Sequence, residues 1–368
     1  MRNYIRYLVG LFSIFLFFCI LPTPTNAANG NTLANSYAPE ETAVFLDGNI
    51  KVLKQKTYLA DDNNLYVPVK LLNDLDNIKV NYSNNISISS TKGSFILDKS
   101  NSQIYQNTTY ISLKKFLSIT GYSAKHISKG FSVFIWTNKD GQTKSNKIIN
   151  NFTKIPEGVK YYLGSKVFMY DTNKTGWVID LKYSGYLTYV TILLNDGKII
   201  EDTILDSEPY SFCHFSQYEL IKSGFKGKYY WANSNRLPSS SPLHNIEKVY
   251  FTSLDLKDGN LVIKANRANG NKVTLKLPLH GYPSTDIHDF FYFSNPKNSY
   301  PNWSKKVWDN IANNRIFIGM TTEQVLMSWG NPNDISTYRS SLATTDLWSY
   351  EYDYLYFYNG ILDSISTF

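Results

Sequence analysis

The chain is poor in cysteine. Only Cys19 and Cys213 occur among its 368 residues, and Cys19 lies inside an apolar run at the start of the chain. A processed protein would keep one thiol and no internal disulfide, so its cohesion must come from apolar cores. Histidine is scarce too. The five are His126, His214, His244, His280 and His288, with no His-x-His pair and no His-Glu-x-x-His. The 37 basic and 30 acidic residues never gather into a Lys/Arg block, and the net charge of +7 is mild for this length. That argues against nucleic acid as a partner, while a weak attraction to an anionic wall polymer stays open. The sequence also lacks a Gly-x-Ser-x-Gly elbow, a phosphate-binding loop and any carboxylate pair spaced for general acid–base work. Catalysis and a cofactor are therefore not expected.

What the N-terminus does have is the layout of an export signal. Arg2 and Arg6 precede an uncharged, nearly continuous apolar stretch over 7–21. Pro22 and Pro24 then break it, and Thr25-Asn26-Ala27-Ala28 offers small residues to a peptidase. The run is short for a membrane span, which takes about 20 apolar residues. Phe17 and Phe18 before Cys19 do not suit a lipid-attachment site. Residues 1–27 are expected to be a cleaved signal peptide and 28–42 a linker, giving an exported protein, secreted or held at the wall, with no membrane insertion afterwards.

Apolar alternation begins at Val44-Phe45-Leu46 and meets an Asp47-Gly48 turn. Leu65-Tyr66-Val67-Pro68-Val69 leads into a short helical stretch and then a strand pair around Ser83-Asn84-Asn85. The pattern returns 44 residues later as Thr109-Tyr110-Ile111-Ser112-Leu113, a helix stopped by Gly121, and strands at 122–124 and 131–135. Two copies of a strand–helix–hairpin unit sharing one core are expected over 43–138. These residues, with the motifs FLDGNIKV, NNLYVPVKLL and NTTYISLKKF, resemble the copper amine oxidase N-terminal, or stalk, domain of exported Gram-positive proteins. Departures from the family pattern are Lys70 and Lys114 where an Arg is usual, and Ser112 where a Pro is usual. The stalk domain holds neither the copper nor the quinone of the oxidases, so the resemblance implies a scaffold.

Residues 139–156 are polar and read as a linker. A β-rich middle domain is expected over 157–282. It carries two glycine-led strands, at 164–170 and 227–231, each followed by a long hairpin. One hairpin turns at Asn195-Asp196-Gly197 and the other at Asn269-Gly270. Small SH3-like barrels or sandwiches are the expected shapes.

The last module, 300–368, has an amphipathic helix bearing Val307, Trp308 and Ile311. A second helix follows, with Thr321 and Gln324 in a capping-box spacing, Val325, Leu326 and Trp329 on its apolar face and Gly330 at its end. Three strands are expected after it, within 347–350, 354–358 and 361–365. The stretch IFIGMTTEQVLMSWGNPNDIS with LWSYEYDYLYFYNGILDSIS is similar to the SmpA/OmlA module, also called the beta-lactamase-inhibitor-protein-like fold. The resemblance implies a small protein-binding module. The fold class expected for the whole is α+β and multi-domain.

Four groups imitate chemistry. His280 and His288 with Asp286 and Asp289 are metal-ligand types without a metal-site spacing, and a polar loop between domains is expected there. Cys213-His214 suggests a thiol nucleophile, but strand neighbours point to opposite faces. Asp171 to Gly176 begins like a calcium loop, yet Lys182 stands where a bidentate Glu is needed, so a β-turn is expected. Tyr350, Tyr352, Tyr354, Tyr356 and Tyr358 fall at period two, on one strand face; ordinary strand composition accounts for such a run, and the functional alternative is that these five contact a partner.

The function expected is a non-enzymatic binding or scaffold protein that presents its last module to an unidentified protein. Attachment to a cell-wall polymer such as peptidoglycan is the alternative, and a hydrolase sited in the middle region a third.

Overall fold

The computed structural model describes residues 33–367 apart from 38, 84, 206 and 280–282. The expected signal peptide and His280 lie outside the described residues. The fold is mixed α+β, rich in strand and divided among five sheets. No helix among the described residues is long and apolar enough to cross a membrane.

The first unit contains β1 (Glu40–Leu46), β2 (Asn49–Lys51), β3 (Thr57–Leu59), β4 (Leu65–Pro68), a 3₁₀ turn (Val69–Asp74), β5 (Lys79–Tyr82), β6 (Ile86–Ser90), β7 (Gly93–Leu97), β8 (Gln103–Tyr105), β9 (Thr108–Ser112), α1 (Leu113–Thr120), β10 (Ser123–Ile127) and β11 (Ser132–Trp136). β1 turns into β2 through Asp47 and Gly48, both at positive φ, as a tight right-twisted hairpin requires. The expected linker over 28–42 is shorter than the sequence suggests. Leu33 is fully buried against Tyr58, Ala60, Tyr66 and Tyr110, and Glu40 already belongs to β1.

The internal repeat is laid out as a two-fold pair. β4 and β9 run antiparallel with Val67 opposite Ile111, flanked by Tyr66 opposite Ser112 and Pro68 opposite Tyr110. Val67 and Ile111 are equivalent positions of the two copies, so the pseudo-two-fold axis passes between them. The copies differ where the sequence departs from its own pattern. Ser112 accepts a hydrogen bond from the Lys115 amide at 3.2 Å and starts a true α-helix, which Gly121 closes in the left-handed conformation. Pro68 offers no capping oxygen, and its copy makes only the 3₁₀ turn.

The expected linker over 139–156 is a helix, α2 (Lys139–Thr153), followed by a short turn, α3 (Glu157–Lys160). Asn138 Oδ1 caps it by accepting from the Gly141 amide at 3.0 Å. Its composition is polar because a single stripe is apolar: Ile149, Phe152 and, just beyond, Ile155 are buried. They join Phe45 and Phe134, whose rings stack 4.5 Å apart, in one core with the next sheet. Two units that composition separates are fused by shared burial.

That next sheet holds β12 (Lys166–Met169), β13 (Thr175–Tyr183), β14 (Thr188–Leu194), β15 (Ile199–Leu205), β16 (Glu208–Pro209) and β17 (Phe212–His214), ordered β16-β15-β14-β13-β12-β17. Helix α4 (Phe215–Gly224) leads to the second sheet: β18 (Tyr229–Ala232), β19 (Lys248–Lys257), β20 (Asn260–Arg267) and β21 (Lys272–Pro278), then α5 (Pro283–Phe290) and β22 (Phe291–Tyr292), ordered β21-β20-β19-β18-β22. The two sheets repeat one plan. A helix packs on the second strand, α2 on β13 and α4 on β19. A bulge interrupts the same strand at Ile179 and at Thr252. A short returning strand pairs with the first, β17 with β12 and β22 with β18. Both expected hairpins are present, and Asp171 to Gly176 spans a turn between strands. Neither sheet closes into a barrel. Alternating burial leaves one face to solvent and the helix covers the other. The expected interdomain loop is corrected as well over 283–289, where α5 packs on α4 and leads into β22, an edge strand of the second sheet.

The last unit has a short turn, α6 (Pro296–Ser299), then α7 (Lys305–Ala312), α8 (Thr322–Trp329), β23 (Asp334–Arg339), β24 (Thr344–Ser349), β25 (Asp353–Tyr358) and β26 (Ile361–Thr367). The capping box forms in both directions between Thr321 and Gln324. The sheet has four strands in sequential order where three are expected. β23 is exposed along its whole length, so no apolar alternation announced it. Asn245, 1% exposed, bolts this unit to the second sheet. Its amide donates to the carbonyls of Met327 at 2.7 Å and Ile311 at 3.2 Å, and its oxygen accepts from the amides of Ser234 and Ile246. Ile246 enters the last core at φ 54°, a strained conformation for a β-branched residue.

Candidate functional site

The strand register of the last sheet fixes what its outer face displays. Leu355 and Phe357 point inward and are fully buried with Trp348 and Leu362. Tyr354, Tyr356 and Tyr358 therefore point outward and are 38%, 39% and 55% exposed. Across from them on β24 stand Ser349, Leu347 and Thr345, and on β26 Ser366, Ser364 and Ile361. β23 adds Ser336 and Tyr338. The outward paired positions of β24 and β25 carry no charge; β23 also brings Asp334 to this face, opposite Ser349, and the exposed Asp363 sits in the β26 bulge opposite Tyr356. The result is a flat field of phenols and small hydroxyls on a basic protein.

The five expected tyrosines do not all join it. Tyr350 precedes β25 and turns inward. Its hydroxyl donates to the Gly330 carbonyl at 2.9 Å, its ring meets Trp329 edge-on, and burial pushes the phenol up to about 12. Tyr352 lies in the turn before β25, exposed but off the strand face. Tyr338, which sequence reasoning missed, belongs to the face. The signal for it is the alternation of Ile335, Ser336, Thr337 and Tyr338, weak because both sides of this edge strand meet solvent.

Cys213 and His214 point apart, as neighbours in a strand do. Cys213 lies in the core of the second sheet, and burial pushes its thiol up to about 12. The thiolate a nucleophile needs is thereby disfavoured. His214 stacks on the rings of Tyr161 and Tyr162, and burial lowers its imidazole to about 4. His288 stacks on Phe293. No three of His, Cys, Asp and Glu come together as metal ligands among the described residues.

No family model matches the chain, and no curated protein matches it. The functional reading is therefore carried by the chemistry of its surfaces.

Proposed function

We propose that the protein is an exported, non-enzymatic binding scaffold whose last unit presents a tyrosine-rich sheet face to a protein partner. The observation that carries this reading is the outer face bearing Tyr338, Tyr354, Tyr356 and Tyr358 among small hydroxyls, Leu347 and Ile361, with charge only toward its margins, at Asp334 and at Asp363 in the β26 bulge. Tyrosine supplies a large, stiff, amphipathic contact at low entropic cost, and serine supplies adaptable hydrogen bonding. Interface centres are likewise rich in aromatics and depleted of charge. The rest of the chain suits a carrier. Consecutive units share cores, through Phe45 and Phe134 at one end and Ile246 at the other, so the face is held in a defined orientation.

Site-specific photo-crosslinking tests the reading. A benzophenone amino acid at Tyr356 of the exported chain is expected to capture one protein species. The same group at Tyr189, an exposed tyrosine of β14, is expected to capture none. Equal labelling at both positions, or capture of wall polymer in place of protein at Tyr356, would overturn it.

A further inference from the structure

A second recognition surface lies where the first unit meets the first middle sheet. A cleft of about 380 Å³ opens there, lined by strands β1 to β3, by the segment around Gly164 and by the start of α4. Its size is that of a small-ligand site. Four features set it apart from a packing gap.

Two of its lining residues, Thr57, only 1% exposed, and His214, each carry a polar atom, Oγ1 and Nε2, that is sealed from solvent and has no hydrogen-bond partner among the described residues. Such atoms are costly to leave unmatched. The start of α4 also faces the cleft through Phe215 and Ser216, and the side chain of its N-cap residue, His214, does not cap it. Its amides and dipole favour an anion. The third feature is charge. Lys56 is already paired with Glu41 at 2.9 Å and Lys51 with Asp74 at 3.6 Å. Lys166 has no carboxylate within ion-pair distance among the described residues, and its Nζ sits 3.6 Å from the centre of the Phe215 ring. One cation is thus unmatched, which suits a monoanion. The fourth is an aromatic lining of Trp177, Phe215 and Phe131. Phe131 holds φ 41°, ψ 44°, a strained conformation of the kind that gathers at ligand clamps.

We propose that this cleft binds a monoanionic carboxylate carried on a ring. Lys166 and the α4 terminus take the carboxylate, and Trp177 and Phe131 flank the ring. This site is independent of the tyrosine face, and neither reading depends on the other.

The test is calorimetric titration of the full chain with glucuronate, galacturonate and N-acetylmuramate as ringed carboxylates. Acetate, inorganic phosphate and glucose serve as the bare anions and the neutral ring. At least one ringed carboxylate is expected to saturate a single site, with acetate, phosphate and glucose each weaker by about tenfold or more. Lys166→Met and Trp177→Ala are each expected to weaken it by about tenfold, while Lys166→Arg retains most of the affinity. A second readout does not depend on variants folding: the bound ligand is expected to protect Lys166 from acetylation in the unaltered protein. The proposal is overturned if no ringed carboxylate saturates, if acetate or phosphate binds as tightly, or if binding occurs without protection of Lys166.

Discussion

At the first junction, between the stalk-like unit and the middle, Thr57 Oγ1 and His214 Nε2 are buried without partners. At the last junction Asn245 is buried as deeply, yet each of its polar atoms is bonded. Both junctions are fused by apolar burial, so the difference lies in the polar groups. The last junction is complete as it stands, and its role is to hold the tyrosine-bearing sheet at a fixed angle. The first leaves two polar groups unmatched beside a cleft that carries an unpaired lysine and an aromatic lining. On the two readings proposed above, joints of similar construction serve different ends, one as a bracket and one as a receptor.

The largest way to break this comparison is with pH. The pKa of His214 falls from an ordinary 6.5 to about 4 on folding. The unfolded chain therefore binds the extra proton between those values. The contribution of this group is fully present above pH 6.5 and is lost as pH falls toward 4, on the order of 3 kcal/mol across the window. Urea midpoints of the native protein are expected to drop over that range, and those of His214→Phe, which keeps the stack on Tyr161 and Tyr162, to drop by correspondingly less. Equal slopes for the two proteins would show that His214 is not held neutral.

A smaller effect is expected at the bracket. Asn245→Leu removes the partner of the Ser234 amide and the bonds to the Ile311 and Met327 carbonyls. It should destabilise the last unit by about 2 kcal/mol, read from tryptophan fluorescence on unfolding. A loss well under about 1 kcal/mol would make Asn245 dispensable and erase the contrast between the junctions. The smallest effect has the opposite sign. Thr57→Val removes an unmatched hydroxyl at nearly constant shape, and should leave stability unchanged or raise it by up to about 1 kcal/mol. A clear destabilisation would mean that the hydroxyl already serves the fold.

Much of the local structure was legible in the sequence. The 44-residue offset of Tyr66-Val67 and Tyr110-Ile111 announced the two-fold repeat. Thr321 with Gln324, and Gly330 after them, announced the second helix of the last unit, because each motif encodes its own hydrogen bonds or backbone angles. The missed elements depend on distant partners. The apolar stripe of α2 is thin, and only the stacked Phe45 and Phe134 beneath it make it a core helix. β23 is a strand because β24 offers it an edge, with no buried face to give a period. The cleft draws its walls from segments far apart in the chain, around residues 41–57, 131, 163–177 and 214–216, and no local pattern marks it. Of the five tyrosines, the strand period placed three correctly; Tyr350 was lost to a turn that the period could not see.

The central claim is that the outer face of the last sheet is the partner-binding surface. Its most direct test is a pair of matched triple variants of the full chain. One changes Tyr354, Tyr356 and Tyr358 to Ser; the other changes the exposed Tyr189 of β14, Tyr186 in the turn before it and Tyr210 between β16 and β17 to Ser. With thermal midpoints of both close to the parent, the first is expected to lose capture of the cross-linked partner and the second to keep it. Retained capture by the first variant, or equal loss in both, would contradict the account.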